Sequence, residues 1–177
     1  MAILPIIIAP DPRLNQPCEP VGAVDDEVRR LMDDMLATMY AAPGLGLAAP
    51  QVGVLKRIIV VDVSKDPDNP TPLQLVNPEI VWASDDLFDY EEGCLSLPDH
   101  YAAVTRPARV RVRYLDRTGT QREIEAERLL AVCLQHEMDH LEGVLFVDHI
   151  SKLKRNVILR KLQKTKKQQS AKAMADA

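Results

Sequence analysis

The sequence has few cysteines, no long apolar run and no leader-like segment at its start. Three cysteines, an odd number without close spacing, argue against a disulfide framework and favour a reducing compartment. The opening MAILPIIIAP is apolar, but it has no basic residue and contains two prolines, so it predicts neither a signal peptide nor a membrane span. These absences predict a cytoplasmic protein, with an organellar form that has lost its leader as the alternative.

Length and composition are typical of one globular domain. The chain has 177 residues, of which 46% are hydrophobic and 27% are charged, and this length can bury a core without disulfides. Charge is unevenly divided, because residues 1–150 contain 13 Lys and Arg against 25 Asp and Glu, whereas residues 151–177 contain nine against one. No repeat or low-complexity linker is present. We therefore predict a body of residues 1–150 to which a basic helix and tail, residues 151–177, are appended.

The clearest motif is H-E-x-x-H at His136–His140. Histidines four residues apart lie on one face of a helix, so both imidazoles can bind one metal ion. Glu137 can then take a proton from a water bound to that ion. The apolar run before the motif predicts a buried helix, and Gly143 suits a left-handed end. Residues 1–150 are therefore predicted to be a metallohydrolase domain; an amphipathic helix with two coincidental histidines is the alternative.

A catalytic site of this kind needs a third protein ligand. Phe146 stands where metzincins have a third histidine, and no glutamate follows Glu142 to complete a thermolysin-like site. Cys133 lies seven residues before His140, about 10 Å along a helix, which is too far. Asp148 remains a weak candidate downstream. The third ligand is therefore expected upstream.

The remaining pattern predicts an α+β domain. Apolar residues recur at helical spacing from Val28 to Met39, after acidic residues at 25–27 and before Pro43, which predicts the first helix. Strands are predicted at residues 57–63 and at residues 73–81, the latter broken by Asn77-Pro78, and a hairpin follows at residues 109–127. In that hairpin, arginines and then glutamates alternate with other residues. A charge-paired surface is favoured there over a nucleic-acid patch.

Two upstream segments could contribute to a site. Residues 44–51, GLGLAAPQ, match the dinucleotide pattern G-x-G-x-x-A, but a helix precedes them and a strand follows, which argues against that function. They form either a plain turn or a glycine loop that approaches a ligand, with Gln51 as an amide donor. Residues 92–98, EGCLSLP, contain Cys94. It is a buried small residue, a nucleophile paired with histidine, or the missing ligand, and a thiolate suits Fe²⁺, Zn²⁺ or Co²⁺.

Together, GLGLAAPQ, EGCLSLP and HEMDH, in this order, resemble the three signature segments of bacterial peptide deformylases. DPRL at residues 11–14 and the basic end are similar to the form of that family with a helical C-terminus. The resemblance implies mostly antiparallel strands around a buried central helix that carries the H-E-x-x-H motif, with helices towards both ends. It also implies removal of the formyl group from the N-terminal formyl-methionine of new polypeptides, with release of formate.

The resemblance further implies a set of site residues. Cys94, His136 and His140 would hold one divalent ion, Fe²⁺, for which Ni²⁺, Co²⁺ or Zn²⁺ can substitute, and Glu137 would act as base and then as acid. The Gln51 amide and the Leu95 backbone N–H would stabilise the oxyanion. The residues implied in substrate binding are Leu45, Gly46 and Gly93 along the peptide backbone, and Tyr90, Leu129, Val132 and Cys133 around the methionine side chain.

One residue departs from the family pattern, and the tail suggests a partner. Tyr101 stands where some relatives have an arginine that contacts substrate, so the preference for downstream residues stays open.

Residues 152–167 contain eight basic residues and no acid, and Leu153, Val157, Ile158 and Leu162 can form one apolar side of a helix. Relatives with this helical end bind near the ribosomal exit tunnel, so we predict the ribosome as a partner, and neither membrane nor DNA. A docked helix with a solvated basic face is the alternative. Rival functions are a metallopeptidase, a structural metal site and an RNA-binding module.

Overall fold

A computed structural model describes residues 1–176. The elements in this part of the chain are the helices α1 (Asp26–Ala41), α2 (Arg128–Leu141) and α3 (Lys152–Ala175), and the strands β1 (Gly46–Ala48), β2 (Ile58–Val61), β3 (Leu73–Ala83), β4 (Leu87–Cys94), β5 (Leu97–Pro107), β6 (Arg109–Leu115) and β7 (Gln121–Glu127). Short 3₁₀ helices lie at Pro12–Asn15, Ala49–Val52 and Phe146–His149. None of the helices in residues 1–176 is long and apolar enough to cross a bilayer.

The strands form two antiparallel sheets, which confirms the predicted α+β architecture. One sheet has five strands in the order β1-β2-β3-β6-β7, and the other consists of β4 and β5 alone. β1 is therefore an edge strand of the larger sheet, and β4 has one partner only. Both strands leave one edge free for other interactions.

The core around β2 has two layers, one on each face of this strand, and all four residues of β2 are buried. Ile58 and Val60 pack against the methionines of α1, whereas Ile59 and Val61 pack against the apolar side of α2. Successive side chains of a strand point to opposite faces, so a strand covered on both faces has no polar positions. α2 is consequently a central buried helix, as predicted.

The predicted break at Asn77-Pro78 is an interruption of strand pairing, because β3 itself continues through both residues. The pairing register with β6 shifts between Val76 and Glu79, which is a β-bulge. Asn77 adopts a left-handed backbone with φ of 51°, and its side chain accepts from the Val21 N–H and donates to the Val21 carbonyl, each at 2.8 Å. The bulge accommodates a proline, which has no N–H for the ladder.

The predicted apolar side of α3 is only partly correct. Leu162 is buried in a hydrophobic cluster that also contains Phe146, and Ile158 packs against that cluster. By contrast, Leu153 is 76% exposed and Val157 is 41% exposed. At 100° per residue, Leu153 and Val157 lie on the side of the helix opposite Leu162. α3 therefore contacts the body through one short stretch, and most of its surface faces solvent.

Candidate metal centre and active site

α2 places the two histidines of the motif on its buried side. His136 and His140 are one turn apart, with ring centroids separated by 5.2 Å, and both are at least 90% buried. Gly143 follows the helix with φ of 73°, and a Cβ at this position would lie 2.6 Å from the backbone carbonyl of Asn15. The predicted left-handed end of the helix is confirmed, because both the backbone conformation and the close approach need glycine.

Cys94, at the end of β4, completes a group of three metal-binding side chains. Its Sγ lies 3.4 Å from His140 Nε2, and the ligand atoms of Cys94, His136 and His140 all lie within 4.8 Å of one another. Among residues 1–176 no other cluster of three such side chains is found. The structure thus brings together the two histidines of the motif and a cysteine 42 positions upstream.

The two rival ligands lie outside this group. Asp148 accepts a hydrogen bond from the Leu145 N–H at 2.8 Å and from Arg155 Nε at 2.7 Å, so it caps a 3₁₀ helix and forms an ion pair. Cys133 is not among the side chains whose ligand atoms converge within 4.8 Å. Neither residue therefore replaces Cys94.

The residues around the three side chains fit a divalent metal. His136 Nδ1 lies 2.8 Å from Glu92 Oε1, which leaves Nε2 directed towards the site. Glu92 in turn accepts from Arg106 Nε at 2.6 Å and Nη2 at 3.0 Å. A carboxylate behind a ligating histidine is the usual way to orient the ring and raise its basicity. One sulfur and two imidazole nitrogens suit Fe²⁺, Co²⁺ or Zn²⁺.

One orphaned polar atom also points to a ligand here. Glu137 Oε2 is a buried carboxylate oxygen without a hydrogen-bond partner in residues 1–176. An unsatisfied buried polar atom costs about 1–3 kcal/mol. The other such atom, His140 Nδ1, lies on the side of the ring away from Nε2, the nitrogen beside Cys94 Sγ, so only the Glu137 oxygen is available to a ligand in the site.

Burial shifts the pKa values of His140 and Glu137 in the directions that this chemistry requires, whereas at His136 burial is outweighed by hydrogen bonds to Cys94 and Glu92, which raise the pKa of that imidazole in the metal-free site. Burial lowers the pKa of His140 well below its ordinary value, so the imidazole is neutral and can bind an ion. It raises the pKa of Glu137 to about 7. A carboxyl group with a pKa near neutrality can both take up and release a proton.

Gln51 is held with its amide NH₂ towards Cys94. Its Oε1 accepts from the Ala48 N–H at 2.9 Å, and its Nε2 donates to Ser96 Oγ at 3.1 Å and lies 3.5 Å from Cys94 Sγ. The backbone N–H occupies the oxygen, which fixes the orientation of the amide. Sequence reasoning assigned no role to Ser96, although it lies within EGCLSLP, nor to Glu92 or Arg106.

A cavity of about 490 Å³ opens beside Cys94, His136 and Glu137, within the range of ligand-binding pockets. One wall comes from residues 42–46 next to β1, and the other from the β4–β5 sheet. Of the residues predicted to contact substrate or oxyanion, the cavity is lined by Leu45, Gly46, Tyr90, Gly93, Leu95, Val132 and Cys133. Two of the predicted residues do not line it: Gln51, which is buried next to Cys94, and Leu129, which lies in the first turn of α2.

Two glycines permit close approaches at this cavity. A Cβ on Gly46 would lie 2.6 Å from Glu137 Oε1, and a Cβ on Gly93 would lie 2.6 Å from Cε1 of Tyr101. Residues 44–51 are therefore not a plain turn. They carry edge strand β1 past the carboxylate of the motif, as the interpretation of a glycine loop near a ligand predicts.

Comparisons with known proteins agree with this geometry. The family model described as polypeptide deformylase matches residues 3–156. The peptide deformylase of Phenylobacterium zucineum is 60% identical over 93% of this chain and 97% of its own length, and that of Rhizobium meliloti is 55% identical over 98% and 100%. The crystal structure of the Ehrlichia chaffeensis peptide deformylase superposes with a TM-score of 0.90 at 42% identity, covering 95% of this chain and 99% of that one. The chain therefore belongs to the polypeptide deformylase family, metal-dependent hydrolases that remove the formyl group from N-terminal formyl-methionine.

Proposed function

We propose that Cys94, His136 and His140 hold a single Fe²⁺ ion, and that Glu137 is the catalytic base and acid of the deformylase reaction. The observation that carries this proposal is the three-ligand group within 4.8 Å, with the Glu137 carboxylate beside it and a cavity leading to both. A divalent ion at such a site polarises a carbonyl oxygen and lowers the pKa of water. Ni²⁺, Co²⁺ or Zn²⁺ fit the same donors.

The protein groups then divide the reaction between them. Glu137 takes a proton from the attacking water, whose oxygen forms a bond to the formyl carbon. The Gln51 amide and the Leu95 N–H donate to the oxyanion that develops on the formyl oxygen, where losing one donor typically costs about 3–4 kcal/mol. Glu137 gives the proton to the peptide nitrogen as the C–N bond breaks. Formate and a peptide with a free α-amino group are the products.

The cavity walls support the assignment of the substrate residues. β1 and β4 each present a free edge, so an extended peptide can hydrogen-bond beside Leu45, Gly46 and Gly93. Val132 and the protonated Cys133 provide an apolar surface for the methionine side chain, next to Tyr90. Leu129 does not line the cavity, so this proposal gives it no direct contact with the methionine side chain.

Release of formate from formyl-Met-Ala tests the function. We expect formate together with a new primary amine, loss of activity on chelation, and restoration by Fe²⁺ under anaerobic conditions or by Ni²⁺. Met-Ala-Ser and acetylated Met-Ala serve as controls. Cleavage of an internal peptide bond in unformylated peptides would indicate a metallopeptidase, and a tightly metallated protein without hydrolysis would indicate a structural metal site.

We propose, second, that α3 binds the ribosome near the exit tunnel, which places the enzyme in the cytoplasm. Within residues 1–176, Arg155 is the only basic residue of α3 that forms an ion pair, with Asp148 at 2.7 Å. Most of the cations on this helix are therefore available for a polyanion such as ribosomal RNA.

Cosedimentation with ribosomes tests this proposal without unfolding the helix. Replacing Arg160, Lys164 and Lys167 by Glu removes exposed cations and keeps buried Leu162. We expect binding at low salt to be lost and formyl-peptide hydrolysis to be retained. Each lost phosphate contact should also lower the slope of log affinity against log salt by about one. The control variant has Arg111 and Arg113 replaced by Glu; these arginines pair with glutamates of β7, and ribosome binding should be kept. Equal ribosome binding by the α3 variant, the control variant and the original chain would contradict the proposal.

A further inference from the structure

The two groups proposed to donate to the oxyanion come from segments that are distant in the sequence. One is the side-chain amide of Gln51, and the other is the backbone N–H of Leu95, 44 positions later. Ser96, which follows Leu95, accepts from Gln51 Nε2 through its hydroxyl at 3.1 Å. Donors that stabilise one oxyanion work only if their geometry is set before the reaction begins. The two segments must therefore be held in a fixed relation to each other.

Residues 7–9 hydrogen-bond to both of these segments. The Ile7 N–H donates to the backbone carbonyl of Gln51 at 2.7 Å. Two residues later, the Ala9 N–H donates to the backbone carbonyl of Ser96 at 2.9 Å. The intervening Ile8 N–H donates to no backbone carbonyl within residues 1–176. One short stretch of chain thus holds the carbonyl of one donor residue and the carbonyl next to the other donor.

Side-chain packing anchors this stretch to the body of the protein. Ala9 is fully buried in a cluster that also contains Leu97, and Ile7 packs against the same cluster. Ile7 Cδ1 also lies 3.7 Å from the position that a Cβ on Gly53 would take, directly after the 3₁₀ helix that contains Gln51. Packing therefore fixes the positions from which the two N–H groups donate.

We infer that Ile7 and Ala9 are positioning residues for the reaction, because their backbone N–H groups set the two oxyanion donors relative to each other. Neither residue lines the cavity, so the effect is exerted through Gln51 and Leu95 and not through contact with substrate. A misplacement of about 1 Å that originates far from the reacting atoms can cost about 10²-fold in rate. The inference rests on the proposed function, in which these two donors stabilise the oxyanion.

Ile7→Pro tests the bond to Gln51, because proline has no N–H. We expect kcat for formyl-Met-Ala to fall by roughly 10- to 100-fold, with KM within about two-fold of the original, since the oxyanion interaction is made only in the transition state. Metal content should be unchanged. Replacing Ile7 by its α-hydroxy acid puts an ester oxygen in place of the N–H and keeps the side chain. This ester should also lower kcat at unchanged KM, and it supplies the measurement if the proline variant does not fold.

Two matched variants of the same stretch serve as controls. Ile8→Pro makes the same replacement at a half-buried isoleucine whose N–H donates to no backbone carbonyl in the described part of the chain. Ile7→Ala shortens the side chain and keeps the N–H. Both should retain the original kcat, because both leave the bond to Gln51 in place. Melting temperatures of all the variants separate a loss of stability from a loss of kcat.

A second substitution shows whether the effect passes through the donor. In the Gln51→Ala background the amide is already absent, so Ile7→Pro should lower kcat by a smaller factor than it does in the original chain. An equal factor in both backgrounds would overturn the inference, and so would full kcat in the ester variant or a rise in KM without a fall in kcat. Failure of the original chain to release formate would instead show that the proposed function is wrong.

Discussion

Gly46→Ala is expected to inactivate the enzyme by displacing Glu137. The new methyl group would lie 2.6 Å from Glu137 Oε1, whereas ordinary contacts of a Cβ begin near 3.4 Å. Glu137 is 5% exposed and cannot swing into solvent, so its carboxylate must shift by about 0.8 Å within the site. A displacement of about 1 Å of a reacting group can cost about 10²-fold in rate. We therefore expect kcat for formyl-Met-Ala to fall by roughly 10²-fold, with metal content unchanged.

Two other glycines provide matched controls for this substitution. A Cβ on Gly22 would have no atom within 4 Å, so Gly22→Ala should leave kcat unchanged. A Cβ on Gly44 would meet only the side chain of Leu95, with its Cδ1 at 2.7 Å, and this flexible group can move aside. For each of the three alanine variants, we would measure formate release, metal content and the circular dichroism spectrum. Full activity of Gly46→Ala would refute the argument that this glycine makes room for the carboxylate.

Three further substitutions test the metal ligands and their surroundings. Cys94→Ala should bind metal far more weakly, and a fully metallated, active variant would move the third ligand elsewhere. Glu92→Gln should weaken metal affinity by about 10–100-fold, measured by chelator competition, and should lower the melting temperature because buried Arg106 loses a carboxylate partner; unchanged affinity would show that Glu92 does not support His136. Leu95→Met should stay within about two-fold of the original kcat/KM, since only the backbone N–H is assigned a role, and a large loss would implicate the side chain.

Local patterns in the sequence predicted the elements whose signals are local. The apolar spacing and acidic start of α1 are confirmed, and Asp25 caps that helix by accepting from the Val28 N–H at 2.9 Å. The charge-paired hairpin is also confirmed, because Arg111 lies opposite Glu125 and Arg113 lies opposite Glu123. The four-residue spacing of His136 and His140 likewise predicted that both side chains lie on the same face of α2.

The parts that sequence reasoning missed depend on contacts between distant segments. Glu92, Arg106 and His136 form one buried hydrogen-bonded chain from β4, β5 and α2, and no local pattern links them. The β4–β5 sheet was not predicted as a unit, and the bulge at Asn77 depends on its bonds to Val21. Ser96 orients Gln51 across 45 positions of the chain. Tertiary packing decides each of these features.

The most direct test of the account is a joint measurement of metal content and formate release in Glu137→Ala. The Glu137 carboxylate is outside the three-ligand group, and general-base assistance is worth roughly 10²–10⁴-fold. We predict a protein with one equivalent of metal whose kcat for formyl-Met-Ala is lower by that factor. A variant that loses its metal together with its activity would show that Glu137 is a ligand, and a variant that keeps its activity would show that another group moves the proton.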